Sequence, residues 1–219
     1  MPRTELTLWW RIGRGLLVPV MRSLFRVRVE GAANVPREGG AILAFNHVSV
    51  LDGPCVAIAT AWRCERVARF LIASEVFDGL FGPLMRACRQ IPIRRGQNDA
   101  HALDDAVRMV RGGALAAIAP EGRVNEHPGA ELQRIRRGVA RIALPTGAPV
   151  VPVAIWGTQY RWPGSGPNLK RVRRPSLVIS YGEPLMPQGD ASSRDDIDAF
   201  LERVHVALEA GVRRTTASS

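Results

Sequence analysis

Two polar clusters in this 219-residue chain have residue types and spacings suited to chemistry. The first, Asn46-His47-Val48-Ser49-Val50-Leu51-Asp52, follows the apolar run Ala41–Phe45. The second, Pro120-Glu121-Gly122-Arg123, follows a similar run at 115–119. A histidine with an aspartate five residues on, across a strand-to-helix turn, can set a carboxylate against one ring nitrogen and leave the other open. Such a pair works as a general base: the carboxylate fixes the tautomer and stabilises the imidazolium as it forms. Taken alone, a histidine and an aspartate at this spacing are commonplace, and a structural histidine is then the better reading. Ser49 stands where a helix N-cap would be.

Other site chemistries find less support. No serine lies in a G-x-S-x-G setting. Cys55, Cys64 and Cys88 fall in apolar surroundings with no adjacent histidine, which places them in the core. His47, His101, His127 and His205 show neither H-x-x-x-H nor H-E-x-x-H spacing, so no metal site is expected. His101, His127 and His205 read as surface or packing residues.

The elements that must position these clusters alternate. Strand-type runs at Ala41–Phe45, 67–73, 115–119, Val150–Trp156 and Ser176–Tyr181 are separated by helical patterns at 54–62, 99–111 and Gly138–Thr146. A further helix starts at Ser193 and Asp196 with a capping-box-like pattern and carries Ile197, Phe200, Leu201, Val204, Leu208 and Val212 on one face. This order predicts an α/β fold: a single layered domain whose mixed, partly parallel central sheet is flanked by helices. In open sheets of this kind, sites lie at the carboxyl ends of strands, where both polar clusters fall. The segment 160–175, rich in Pro, Gly and Arg, reads as a long mobile loop or lid.

An amphipathic helical segment precedes this domain. Leu6, Trp9, Trp10, Gly13, Leu16, Leu17, Val20 and Leu24 recur at helical spacing, with Arg3, Arg11, Arg14 and Arg22 largely opposite. Pro19 is expected to split the segment into two shorter helices. The pattern fits either a helix packed on its own domain or an interfacial helix with tryptophans at headgroup level and arginines facing anionic lipid; the charge favours the second. The expected organisation is 1–26 as membrane-associating helices, 27–214 as the layered domain and 215–219 as a loose tail.

Composition bounds the function. Hydrophobic residues at 46% and charged residues at 23% are an ordinary globular mix, which excludes disorder, a collagen and a polytopic membrane protein. No apolar stretch is long enough to span a bilayer, and Arg11 and Arg14 interrupt any signal-peptide core. Three cysteines cannot all pair, which favours a reducing compartment. Thirty basic against twenty acidic residues leave a net charge of +10, and Lys170 is the only lysine. Arginine's planar fork suits phosphate and carboxylate, so nucleic acid, an anionic membrane or a phosphorylated substrate are the partner classes.

The clusters together carry a specific resemblance. Asn46-His47-x-Ser49-x-x-Asp52 resembles, at every fixed position, the N-H-x-S-x-x-D signature of the PlsC-like glycerolipid, or lysophospholipid, acyltransferase family. Gln90-Ile91-Pro92-Ile93-Arg94-Arg95 is similar to that family's second block, Pro120-Glu121-Gly122 to its third and Val151-Pro152-Val153 to its fourth, in the same order. Three departures stand near the phosphate-binding blocks. Arg94 replaces the usual aspartate, Gly122 is followed by Arg123-Val124 rather than Thr-Arg, and the lysine after the second strand is missing near Ala73-Ser74. They bear on the acceptor more than on the reaction.

The resemblance implies transfer of an acyl chain from a thioester to the hydroxyl of lysophosphatidic acid, giving phosphatidic acid without a covalent acyl-enzyme. His47 would be the general base and Asp52 its orienting carboxylate, with backbone N–H groups near a helix start or the fourth block holding the oxyanion. Arg95, Arg123 and Arg136 would bind the acceptor phosphate. Gly122 belongs to the same substrate-binding block, and Glu121 would buttress the arginines or orient the acceptor hydroxyl. Trp156, Trp162 and 171–174 either line the lipid's approach and clamp the donor's phosphates, or form a solvated loop. No cofactor is expected beyond the co-substrate, an acyl-coenzyme A or acyl carrier protein thioester. The expected place is the cytoplasmic side of the cell membrane, peripherally bound at its anionic surface, without nucleic acid. Two alternatives stay open: another lysophospholipid, glycolipid or polyol acceptor, and a non-catalytic basic binder of anionic membrane or nucleic acid.

Overall fold

The computed structural model describes residues 8–94, 100–126, 128–129, 131–168 and 173–218. Arg95, His127, Lys170, Arg171 and the first seven residues lie outside that set. Seven strands form one sheet in the order β1-β7-β6-β2-β5-β3-β4. They are β1 (Arg26–Glu30), β2 (Ala41–Phe45), β3 (Ala68–Ala73), β4 (Ile91–Ile93), β5 (Leu115–Ile118), β6 (Val150–Trp156) and β7 (Ser176–Tyr181). Every neighbouring pair is parallel except β6 and β7. The sheet is therefore mixed and mostly parallel, as the alternation of elements predicts.

Side chains alternate along each strand, so two cores form on opposite faces. Leu43, Phe45, Val151, Val153 and Ile155 pack with Met21 and Phe25 near the end of α1 (Leu8–Leu24) and with Cys55, Val56 and Ala59 of α2 (Asp52–Ala59). Ile42, Ala44, Ala116 and Val150 pack against α5 (Ala100–Arg111), α6 (Gly138–Thr146) and α7 (Arg194–Ala217) on the other side. Central strands covered on both faces account for continuous apolar runs such as Ala41–Phe45, buried at all five residues. Edge strand β1 instead alternates exposed and half-buried residues. Its Arg-Val-Arg-Val-Glu sequence escapes a search for apolar runs, and it starts directly after the helical segment. Two short helices, α3 (Glu75–Asp78) and α4 (Gly82–Ala87), connect β3 to β4.

Two local expectations need correction. Pro19 does not divide the N-terminal segment: α1 is one 17-residue helix with Pro19 inside it. The ring removes a single backbone bond, and Gly15 and Pro19 are both exposed, so water can satisfy the freed carbonyl. The chain end described as loose is helical to Ala217, with Thr215 buried and its hydroxyl donating to Val212 O at 2.9 Å. The N-terminal helix packs through its end, and the apolar face grouped by the spacing points outward, as in the interfacial alternative. Met21 and Phe25 are buried and Arg14 Nη1 donates to Ala61 O at 3.4 Å, while Ile12, Leu16, Leu17, Val20 and Leu24 face outward.

Candidate active site

β6, β2 and β5 lie side by side and end at the same edge. The turn after β2 carries the first polar cluster, the turn after β5 the second, and the turn after β6 adds a third group. Asn46 fixes the frame. Its Oδ1 accepts from Ile155 N at 2.7 Å and its Nδ2 donates to Ile155 O at 3.0 Å, so a buried side chain extends the β2 and β6 pairing by one rung.

The turn then brings Asp52 under His47. Asp52 is the first residue of α2, where an acidic side chain meets the positive end of the helix. Its Oδ2 accepts from His47 Nδ1 at 3.0 Å and from the backbone N–H groups of Val48 and Ser49, each at 2.7 Å. Its Oδ1 accepts from the Thr158 hydroxyl. With Oδ2 as acceptor, Nδ1 carries the ring hydrogen and Nε2 is the acceptor nitrogen, without a hydrogen-bond partner among the described residues. The His47 side chain is 15% exposed and Asp52 fully buried, so the ring is reachable and its partner is not.

Ser49 does not cap the helix. Its hydroxyl accepts from Leu51 N at 3.0 Å and donates to Trp162 O at 2.6 Å, tying the segment after β6 to the turn after β2. That tie holds within a stretch whose sequence reads only as a loop.

The turn after β5 supports His47 from below. Glu121 Oε1 accepts from His47 N at 2.7 Å, and Oε2 accepts from Gln133 N at 3.2 Å. Its carboxyl braces the backbone of His47, and no arginine pairs with it among the described residues. Burial pushes its pKa above the usual carboxylate range, against the pull of those two N–H donors and of His47. Asn125 N donates to His47 O at 2.7 Å, so the histidine backbone is held at both its polar groups.

Gly122 has a φ of +72°, and a Cβ there would stand 2.8 Å from Arg136 Nε. The left-handed φ favours glycine here, and its missing side chain lets Arg136 lie close across the turn. Arg136 N also donates to Pro120 O at 2.8 Å. Arg123 Nε donates to Gln133 Oε1 at 3.0 Å. The structure thus gathers His47, Asp52, Glu121, Gly122, Arg123 and Arg136 at one edge, with both arginines exposed. Arg95 lies outside the described residues; Arg94 before it is exposed.

The fourth block offers no free donors. Val151, Pro152 and Val153 sit inside fully buried β6 between β2 and β7, so the N–H groups of its valines serve the ladder. What β6 contributes instead is Thr158. Gly157 turns the chain at a φ of +111°, where a Cβ would collide with Ser176 O, and Thr158 follows over Asp52. Sequence reasoning missed this residue, although a hydroxyl two residues beyond a buried strand fits the strand-end rule. The cysteines stay outside the chemistry: burial and the Asp52 charge push the Cys55 thiol up to about 12.

Fold and site together define a mostly parallel α/β protein with a His/Asp pair at the carboxyl ends of its central strands. A family model described as Acyltransferase matches residues 26–156, more than half the chain, and the chain belongs to this acyltransferase family. An uncharacterized protein of Mycobacterium tuberculosis is 34% identical over 166 residues, covering 69% of this chain and 43% of that protein. A 1-acyl-sn-glycerol-3-phosphate acyltransferase of Borreliella burgdorferi is 27% identical, covering 61% of this chain and 52% of that protein. This chain thus spans about half or less of these relatives' length. The crystal structure of the 1-acyl-sn-glycerophosphate (LPA) acyltransferase PlsC from Thermotoga maritima superposes with a TM-score of 0.64 at 23% identity, covering 98% of this chain and 86% of that one. That likeness concerns the fold.

Proposed function

We propose that this protein is an O-acyltransferase of the 1-acylglycerol-3-phosphate type. It moves a fatty acyl chain from a thioester to the free hydroxyl of lysophosphatidic acid, yielding phosphatidic acid. The observation that carries this reading is the His47 Nδ1 to Asp52 Oδ2 contact of 3.0 Å, beside the Glu121-Gly122 turn. Nε2 of His47 accepts the hydroxyl proton as that oxygen attacks the thioester carbonyl. The tetrahedral intermediate expels the thiolate, which takes the proton back from the imidazolium, so ester and thiol form and the enzyme returns unchanged. General-base help of this kind contributes about 10²–10⁴-fold, with positioning and oxyanion stabilisation supplying the rest.

Arg123 and Arg136, with Arg95, hold the acceptor phosphate. The donor is acyl-coenzyme A or an acylated carrier protein, and no further cofactor takes part. The protein works at the anionic cytoplasmic surface of the cell membrane. The outward row Ile12, Leu16, Leu17, Val20 and Leu24 supports this placement, and no described helix is long and apolar enough to cross a membrane. A second reading keeps the chemistry and changes the acceptor to another lysophospholipid, a glycolipid or a polyol; Arg94 and the Arg123-Val124 pair favour it.

The test mixes protein, palmitoyl-coenzyme A and lysophosphatidic acid and follows thiol release, with His47→Ala alongside. The expected outcome is release that needs the acceptor and falls at least about 10²-fold in the variant. Activity near wild type in His47→Ala would sink the general-base role. A panel of acceptors decides between the two readings.

A further inference from the structure

A basic cavity of about 500 Å³ opens at the β1 edge of the sheet. Arg22, Arg26, Arg28 and Arg174 line it, with Ser176 and Ser218. Since β1 runs parallel to β7 and β7 antiparallel to β6, the starts of β1 and β7 lie at the same end of the sheet as His47. Three strand spacings, about 14 Å, separate β1 from β2. The acyl-transfer steps proposed above use none of these residues.

Its charge is incompletely balanced. Glu30 pairs with Arg28 at 2.9 Å, whereas Arg22, Arg26 and Arg174 have no carboxylate partner among the described residues. α1 and α7 both end here, each presenting about half a negative charge. Arg174 Nη1 donates to Arg22 O, a carbonyl at the end of α1, at 3.0 Å. Among the described residues, Glu30 and the two helix ends offset about two of four positive charges. About two remain, in a concavity whose size suits a small ligand.

We propose that this cavity binds the phosphate of an anionic membrane lipid's headgroup, at a site separate from the acyl-transfer centre. The guanidinium fork matches phosphate oxygens in pairs. Leu17, Val20 and Leu24, exposed on the last turns of α1, give the ligand's source: a helix seated with these residues in the acyl boundary sets Arg22, and the cavity beside it, at headgroup depth. The inference rests on the interfacial reading of α1, and the experiment separates the two.

The full chain is sedimented with phosphatidylcholine vesicles and with vesicles containing phosphatidylglycerol. Two double variants remove equal charge: Arg26→Gln/Arg28→Gln at the cavity, and Arg37→Gln/Arg194→Gln at the opposite end of the sheet. Each arginine near an anionic surface contributes roughly a fivefold gain in binding. The cavity variant is therefore expected to lose about 25-fold on phosphatidylglycerol vesicles and nothing on phosphatidylcholine. The distal variant is expected to lose much less, with both variants matching wild-type thermal unfolding. Equal losses from the two variants would overturn the site in favour of diffuse charge. Equal binding of wild type to both vesicle types would overturn it while leaving membrane association intact. Absence of wild type from all vesicles would overturn both. Displacement of wild type from phosphatidylglycerol by inorganic phosphate, at ionic strength matched with chloride, would reassign the cavity to a soluble phosphate.

Discussion

Asp52 accepts four hydrogen bonds from groups supplied by two turns, and the one from Thr158 is the most informative to remove. Thr158→Val leaves Oδ1 buried without its donor and loosens the hold on His47. The expected cost is about 1–3 kcal/mol in stability. A further 1–2 kcal/mol in orienting the proposed base corresponds to about 5–30-fold in kcat with little change in KM. Thr158→Ser should restore the rate, which a purely packing role for the methyl group would not allow. Steady-state kinetics on the three proteins decide this. Glu121→Gln is a different kind of probe. A glutamine has one carbonyl acceptor and one N–H donor group, so it can satisfy the N–H of His47 or of Gln133 but not both, at about 1–3 kcal/mol. It also removes a pH dependence. Burial raises the Glu121 pKa, so the folded chain keeps that proton to higher pH than the unfolded chain does, and this residue's contribution to stability falls as pH rises above about 4.5. Urea unfolding across the carboxylate range should show that slope in wild type and its loss in Glu121→Gln.

The boundaries of β2, α6, β6 and β7 follow directly from sequence, because apolar runs buried on both faces and a periodic helix leave little choice. The elements that escape are those whose environment is mixed. β1 is half exposed, and β4 has three residues with one of them buried. α1 shows the limit most clearly. Its spacing groups Leu16, Leu17, Val20 and Leu24 correctly, yet the residues that bury are Met21 and Phe25, because the start of β1 fixes where the helix must end. Deleting residues 1–20 removes much of the outward apolar row and spares Met21 and Phe25. The shortened protein is therefore expected to fold, with a thermal midpoint within a few degrees of wild type, and to stay in the supernatant when anionic vesicles are sedimented. Undiminished sedimentation would place the membrane contact elsewhere.

At the scale of the whole molecule, four short blocks far apart in sequence become meaningful through strand order. The sequence places two of them after strands but cannot say that β5 and β6 flank β2, and so cannot bring Thr158 to Asp52 or Glu121 to the backbone of His47. Arg123 and Arg136 were legible as charge, while the reason glycine suits position 122 lies in a left-handed φ that only the folded turn reveals. The depth at which these residues sit has a practical consequence. Asp52 and Glu121 are sealed in and bonded to main chain, whereas Arg94, Arg123 and Arg136 stand on the exposed rim. A rim residue can be exchanged without disturbing any bond to Asp52. Under the proposed acceptor role of these arginines, laboratory evolution toward new acceptors has its room at the rim, where libraries can be randomised while the buried residues are left alone.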